Sequence, residues 1–148
     1  MPVKIFEAAD ENLEAVNDFI HAQIKPFSCQ SQTLFQIDLA VEEIFVNISH
    51  YAYSPDKGTV QIDCSVEKTS DAPAKLTVSF TDSGKAFNPL EKPDPDITAS
   101  VEEREIGGLG IFLTKKYMDT VSYVRKNNRN VLTITKTISS CSECQPFR

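Results

Sequence analysis

The sequence has no run of roughly 18 apolar residues, the length a bilayer-spanning helix needs, so no membrane-spanning helix is expected. Met1-Pro2-Val3-Lys4 leads straight into an amphipathic pattern, without the apolar centre of a signal peptide. The expectation is a cytoplasmic protein with no membrane partner. Positive charge is also short: 15 Lys and Arg against 21 Asp and Glu leave a formal net charge of −6 at pH 7. A nucleic-acid binder carries a basic face to neutralise phosphates, so no nucleic-acid partner is expected. That total still permits a local pocket for one nucleotide. Only His21 and His50 are present, and the 4 cysteines include a lone C-x-x-C at Cys141 and Cys144. A structural zinc site needs four ligands at set spacings, which these residues do not provide. The C-x-x-C reads as part of a frayed, reduced tail.

What remains is an ordinary globular composition: 148 residues, 41% hydrophobic and 24% charged. That length suits one domain with one core, with no internal repeat or domain boundary, so residues 1–148 are read as a single unit. Val3–Phe6 reads as a first strand, and Asp10 as the N-cap of a helix carrying Leu13, Val16, Phe19, Ile20 and Ile24 at helical spacing. Pro26 ends that run. A second helix is expected from about Ser31 to Ala52, with Leu34, Ile37, Val41, Ile44 and Ile48 as its apolar stripe. Glu43 and Asn47 lie beside that stripe. Residues four apart on a helix differ by only about 40° in direction, so the two side chains share a side.

The period then changes to two. Val60, Ile62, Cys64 and Val66 alternate with polar residues, as do Leu76, Val78 and Phe80 after the turn-rich stretch Lys68–Pro73. This is the pattern of an antiparallel hairpin. Asp82 continues the parity of Phe80, which aims its carboxylate at the covered face. Residues from about 88 to 106 carry Pro89, Pro93 and Pro95 and show no strand pattern, as a functional loop would. Gly107-Gly108-Leu109-Gly110 then opens a helix. Strands over about Thr120–Lys126 and Val131–Ile138 follow, joined by Asn127-Asn128-Arg129-Asn130. Helices segregated from antiparallel strands give an α+β two-layer sandwich, a mostly antiparallel sheet with helices on one face.

Three groups carry candidate chemistry. An Asn47 carbonyl suits Mg²⁺, a hard ion that prefers oxygen, and the Glu43 carboxylate one turn away suits a general base. A buried Asp82 calls for a donor such as an adenine amino group, with Phe87 and Pro89 as apolar walls. Three of the 5 glycines fall within four positions at a helix start, where free amides and the helix dipole favour phosphate. There is no P-loop sequence, and no strand immediately precedes the glycines as a dinucleotide fold requires.

Glu43-x-x-x-Asn47, Asp82-x-Gly84-x-x-Phe87-Asn88-Pro89 and Gly107-Gly108-Leu109-Gly110-Ile111 together resemble the ATP-binding (Bergerat-type) fold shared by gyrase, heat-shock chaperones, histidine kinases and mismatch-repair ATPases. The resemblance spans about Phe35 to Lys136. Within that superfamily the chain looks like the small bacterial anti-sigma factors that are serine-protein kinases, through Gly107–Leu113 and Leu132-Thr133-Ile134-Thr135-Lys136. The resemblance implies ATP and Mg²⁺ as cofactors. It makes Asn47 the Mg²⁺ ligand, Glu43 the general base, Asp82 the adenine contact and Gly84 the point of close approach. Phe87 borders the base, and Gly107, Gly108, Leu109 and Gly110 cover the phosphates. Residues about 88–106 become an ATP lid, with Arg104 reaching toward the γ-phosphate.

Two positions depart from the family pattern. Tyr51 stands where many relatives have histidine, with His50 one step early. Asn130, preceded by Arg129, stands where many have the threonine of a Gly-Thr pair. The implied biology is partner switching: binding a sigma factor or similar regulator, and phosphorylating a small anti-anti-sigma antagonist. Homodimers are common among relatives, and an exposed apolar face on the first helix is one candidate surface. The competing readings are a nucleotide-dependent module that sequesters a partner without kinase activity, and a histidine kinase. The latter normally needs a phospho-accepting segment; His21 reads as a surface residue.

Overall fold

In a computed structural model of the chain, residues 2–91 and 108–138 are described. The strands are β1 (Val3–Glu7), β2 (Thr59–Thr69), β3 (Ala72–Asp82), β4 (Thr120–Lys126) and β5 (Arg129–Ile138). The α-helices are α1 (Leu13–Ile24), α2 (Ser31–Asn47) and α3 (Gly108–Tyr117). One five-stranded sheet runs β1-β2-β3-β5-β4, and all of its pairings are antiparallel. The expected α+β sandwich is therefore present.

The core forms where the apolar faces meet. Ile37, Val41, Ile44 and Phe45 of α2 and Val16 and Ile20 of α1 are at most 2% exposed, as are Val60, Ile62 and Cys64 of β2 and Leu76, Val78 and Phe80 of β3. Leu34, expected on the α2 stripe, is only partly buried, and Phe45 joins the core instead. Cys64 is fully buried, and burial pushes its thiol up to about 12. Cys29 is raised to about 11, mainly by burial, with Asp38 adding to the effect. Neither thiol offers a thiolate near neutral pH.

Four local expectations are corrected. Asp10 does not cap α1: a short 3-10 turn, Asp10–Asn12, precedes the helix, and the Asp10 carboxylate meets His50 Nε2 at 2.6 Å instead. The second helix does reach Ala52, but its last turn, Ile48–Ala52, is a π-helix. Lys68–Pro73 is mostly strand, because β2 and β3 pair as far as Thr69 opposite Ala72. Pro73 is tolerated since β5 first pairs with β3 at Ala74, so no β5 ladder bond is lost. In the last hairpin only Asn127 and Asn128 form the turn, both with positive φ (53° and 59°), as a type I′ turn requires. Arg129 and Asn130 belong to β5.

Of the large hydrophobic residues that stay exposed, Val3 and Ile5 lie on β1, Phe35 on α2 and Val124 on β4, with Tyr51 and Phe87 outside the strands and α-helices. None is on α1, where Leu13 and Phe19 are partly buried. His21 is about one-third exposed and pairs with Asp38 at 2.6 Å. Among the described residues no helix is long and apolar enough to cross a membrane.

Candidate active site

A pocket, partly open to solvent, lies between the C-terminal half of α2, the end of β3, the start of β5, the middle of β4 and the start of α3. Its lining includes Asn47, Asp82, Phe87, Pro89, Tyr123 and Asn130, together with apolar residues such as Ile44, Ile111 and Leu132. This is the usual make-up of a small-molecule site: apolar walls with a few convergent polar groups.

Sheet register builds the polar end. Asp82, on β3, lies directly between Val60 on β2 and Asn130 on β5. Paired residues share a face of the sheet, and all three are nearly buried: Asp82 is 5% exposed and Asn130 6%. The parity reading of Asp82 is thus correct. Its Oδ1 accepts hydrogen bonds from Gly84 N and Asn130 Nδ2, both at 2.9 Å. Its Oδ2 has no hydrogen-bond partner among the described residues.

The Asp82-Ser83-Gly84 turn is clamped from three directions. Lys85 N donates to Ala52 O at 3.0 Å, tying it to the π-helical end of the second helix. Ser83 N donates to the Tyr53 hydroxyl at 2.7 Å, and that hydroxyl donates to Thr59 O at 2.6 Å. Arg125 Nη1 donates to Gly84 O at 2.8 Å. A Cβ at Gly84 would stand 2.2 Å from the Ala52 carbonyl oxygen, so only glycine allows this approach.

On α2, Asn47 Nδ2 donates to Glu43 Oε1 at 3.1 Å, as the four-residue spacing demands. One amide N–H is used there, and the Asn47 carbonyl oxygen is the atom of this side chain that can ligate a metal. Glu43 also packs against the first turn of α3, where its Oε2 lies 2.1 Å from the place a Gly110 Cβ would occupy. A carboxylate at a helix N-terminus is electrostatically favoured.

Of the expected site residues, Asn47, Asp82 and Phe87 line the cavity, Gly84 belongs to the turn that Asp82 holds, and Glu43 meets Gly110 at the first turn of α3. Gly108 and Leu109 are in the first turn of α3, as a helix opening at these glycines requires. Gly107, Arg104, most of the expected lid (92–106) and the tail with Cys141 and Cys144 lie outside the described residues. Tyr51 is 48% exposed. Sequence reasoning missed Tyr53, Tyr123 and Arg125 and undervalued Asn130. The inward parity of Asn130, opposite an already suspected Asp82, was the one available signal.

The site can be tested against the groups expected there. An acceptor oxygen without a partner, on a nearly buried carboxylate at the end of an apolar pocket, fits a planar base bearing an amino group. No group of three or more His, Cys, Asp or Glu side chains suited to a metal occurs among the described residues. A magnesium ion fits on different terms, because it commonly takes one or two protein oxygens and completes its shell with phosphate and water.

A sequence profile of the histidine kinase-like ATPase domain matches residues 6–136, a longer stretch than the motifs alone mark out. The serine/threonine-protein kinase BtrW of Bordetella bronchiseptica is 27% identical over 101 residues, 68% of each chain. The crystal structure of the RsbU and RsbW domains of a Mycobacterium tuberculosis protein superposes with a TM-score of 0.58 at 14% identity. It covers 94% of this chain, which spans only 33% of that one. The histidine kinase domain of a blue-light activated kinase from Erythrobacter litoralis gives a TM-score of 0.51 at 14% identity, over 87% of this chain and 60% of the other. At these identities the two structures speak to the fold alone.

Proposed function

The chain belongs to the histidine kinase-like ATPase domain family, and from that premise we propose that it binds Mg-ATP and phosphorylates a serine or threonine of a small regulatory protein. The observation that carries the nucleotide half is the unpartnered Oδ2 of Asp82 at the end of the pocket. Asp82 accepts the adenine amino group there, and Gly84 lets the base lie against the backbone. Phe87 and Pro89 wall the ring. The first turn of α3, with Gly108, Leu109 and Gly110, faces its free amides toward the phosphates.

Asn47 supplies the magnesium ligand through its side-chain oxygen. The ion neutralises phosphate charge when bound. Glu43 accepts the proton of the attacking hydroxyl as that oxygen bonds to the γ-phosphorus and ADP leaves. Phosphoryl transfer depends mainly on positioning and charge stabilisation, so few side chains suffice. The kinase half is supported by the similarity to a protein named as a serine/threonine kinase and by the Glu43–Asn47 pair. The substrate on this reading is an anti-anti-sigma-type antagonist in the cytoplasm, and the sequestered partner is a sigma factor or similar regulator.

Ligand-linked stabilisation tests the nucleotide half. A ligand present at 100 times its Kd stabilises the fold by about 2.7 kcal/mol. With micromolar affinity, millimolar Mg-ATP is expected to raise the melting temperature by roughly 5–15 °C. No shift with Mg-ATP, or an equal shift with free phosphate alone, contradicts the proposal.

A further inference from the structure

Asn130 spends every hydrogen-bonding group it has. Its Nδ2 donates to Asp82 Oδ1 at 2.9 Å and to Lys85 O at 2.8 Å. Its Oδ1 accepts from Phe87 N at 3.3 Å and from the Tyr123 hydroxyl. A side-chain amide offers two donors and two acceptor positions. The partners also settle its orientation: Asp82 Oδ1 and Lys85 O can only accept, and Phe87 N can only donate, so the flipped amide is excluded.

One residue thus joins β5, β4, the Asp-x-Gly turn and the start of the Phe87–Pro89 wall. Register explains why it can. Asn130 lies opposite Asp82 on β3 and opposite Arg125 on β4, and Arg125 holds the same turn through Gly84 O. A threonine here would offer one hydroxyl, which donates to a single acceptor. It could hold Asp82 or Lys85 O, but not both.

The consequence falls on the carboxylate. A free carboxylate presents two oxygens side by side. It can accept from two adjacent N–H groups at once, as on the N1–N2 edge of guanine. Adenine presents a single amino donor beside an acceptor nitrogen. In this chain Oδ1 is taken by Gly84 N and Asn130 Nδ2, so only Oδ2 is offered to the pocket.

We propose that Asn130 is a positioning residue that sets nucleotide choice: by holding Asp82 Oδ1 it leaves one acceptor, which matches adenine and denies guanine its paired contact. This rests on the nucleotide reading above and assigns the selectivity of that site jointly to Asn130 and Asp82. Tyr123 supports it by donating to Asn130 Oδ1, which keeps the amide facing Asp82.

Calorimetric titration of the full chain with Mg-ATP and with Mg-GTP tests this, reading the ratio of the two dissociation constants. The wild type prefers ATP. Asn130→Ala is expected to lower that preference at least about 10-fold, the scale of a lost buried hydrogen bond, with ATP weakened and GTP improved. Asn130→Thr should fall between the two. A mainly structural role would weaken both nucleotides together; an unchanged ratio in Asn130→Ala therefore overturns the proposal. If that variant lacks a cooperative melt, Tyr123→Phe is read in its place. A fall in the ratio of about 3-fold is expected there, and no fall overturns the proposal. A wild type that binds neither nucleotide fails at an earlier step, overturning the nucleotide reading and this inference with it.

Discussion

Replacing Glu43 with glutamine is expected to abolish phosphate transfer while leaving Mg-ATP binding within about threefold of wild type. Glutamine keeps the length of the side chain and an oxygen to accept from Asn47 Nδ2, the bond seen at 3.1 Å. It cannot take a proton from a hydroxyl. General-base catalysis contributes about 10²- to 10⁴-fold, so transfer to the cognate protein, or slow hydrolysis by water, should fall by that factor. Glu43→Ala should lose transfer as well, but with poorer placement of Asn47. The close packing of Glu43 on Gly110 makes the placement sensitive, since only a glycine leaves room for the carboxylate at the first turn of α3. Undiminished transfer in Glu43→Gln would remove Glu43 from the chemistry. Tight ATP binding with no transfer in the wild type, across candidate partners, would instead favour a module that sequesters its partner.

The second large effect is expected at Gly84. An alanine Cβ there would meet the Ala52 carbonyl oxygen at 2.2 Å and its carbon at 2.6 Å, both backbone atoms that cannot swing aside. The turn must move, and Gly84 N moves with it, away from Asp82 Oδ1. Overpacking of this kind costs about 1–3 kcal/mol, a drop of roughly 4–10 °C in melting temperature. Because the carboxylate is released as well, ATP affinity should fall at least about 10-fold. Thermal melts and nucleotide titration on Gly84→Ala check the two parts separately. A stable variant with wild-type ATP affinity would show that the approach to Ala52 does not shape the pocket.

The sequence carried the second helix and the position of Asp82 well, because burial enforces both. The stripe through Ile37, Val41 and Ile44 must face the sheet, and that fixes the direction of Glu43 and Asn47. The strict alternation through Leu76, Val78 and Phe80 fixes the side on which Asp82 lies. Turn chemistry was less dependable. Lys68–Pro73 has turn composition, yet cross-strand pairing extends both strands into it and leaves Ser70 and Asp71 between them. Asp10 has the right chemistry for a helix cap, but a 3-10 turn intervenes and His50, forty positions along, takes its carboxylate. The roles of Tyr53, Tyr123 and Arg125 depend on contacts between segments distant in sequence, as when Arg125 reaches Gly84 or Tyr53 reaches Ser83. No local pattern announces such a bond. Asn130 was half legible: its parity pointed inward, while its four partners followed only from the register of β3 against β5.

The most direct test of the nucleotide site is calorimetric titration with Mg-ATP, run on the wild type and on Asp82→Asn. The wild type is expected to bind in the micromolar range, about −8 kcal/mol. Asparagine keeps the shape of Asp82 but can turn an amide N–H toward the adenine amino group or toward Asn130, so affinity should fall at least about 10-fold. Equal affinity in the two proteins, or no binding by the wild type, would contradict the assignment of this pocket to ATP.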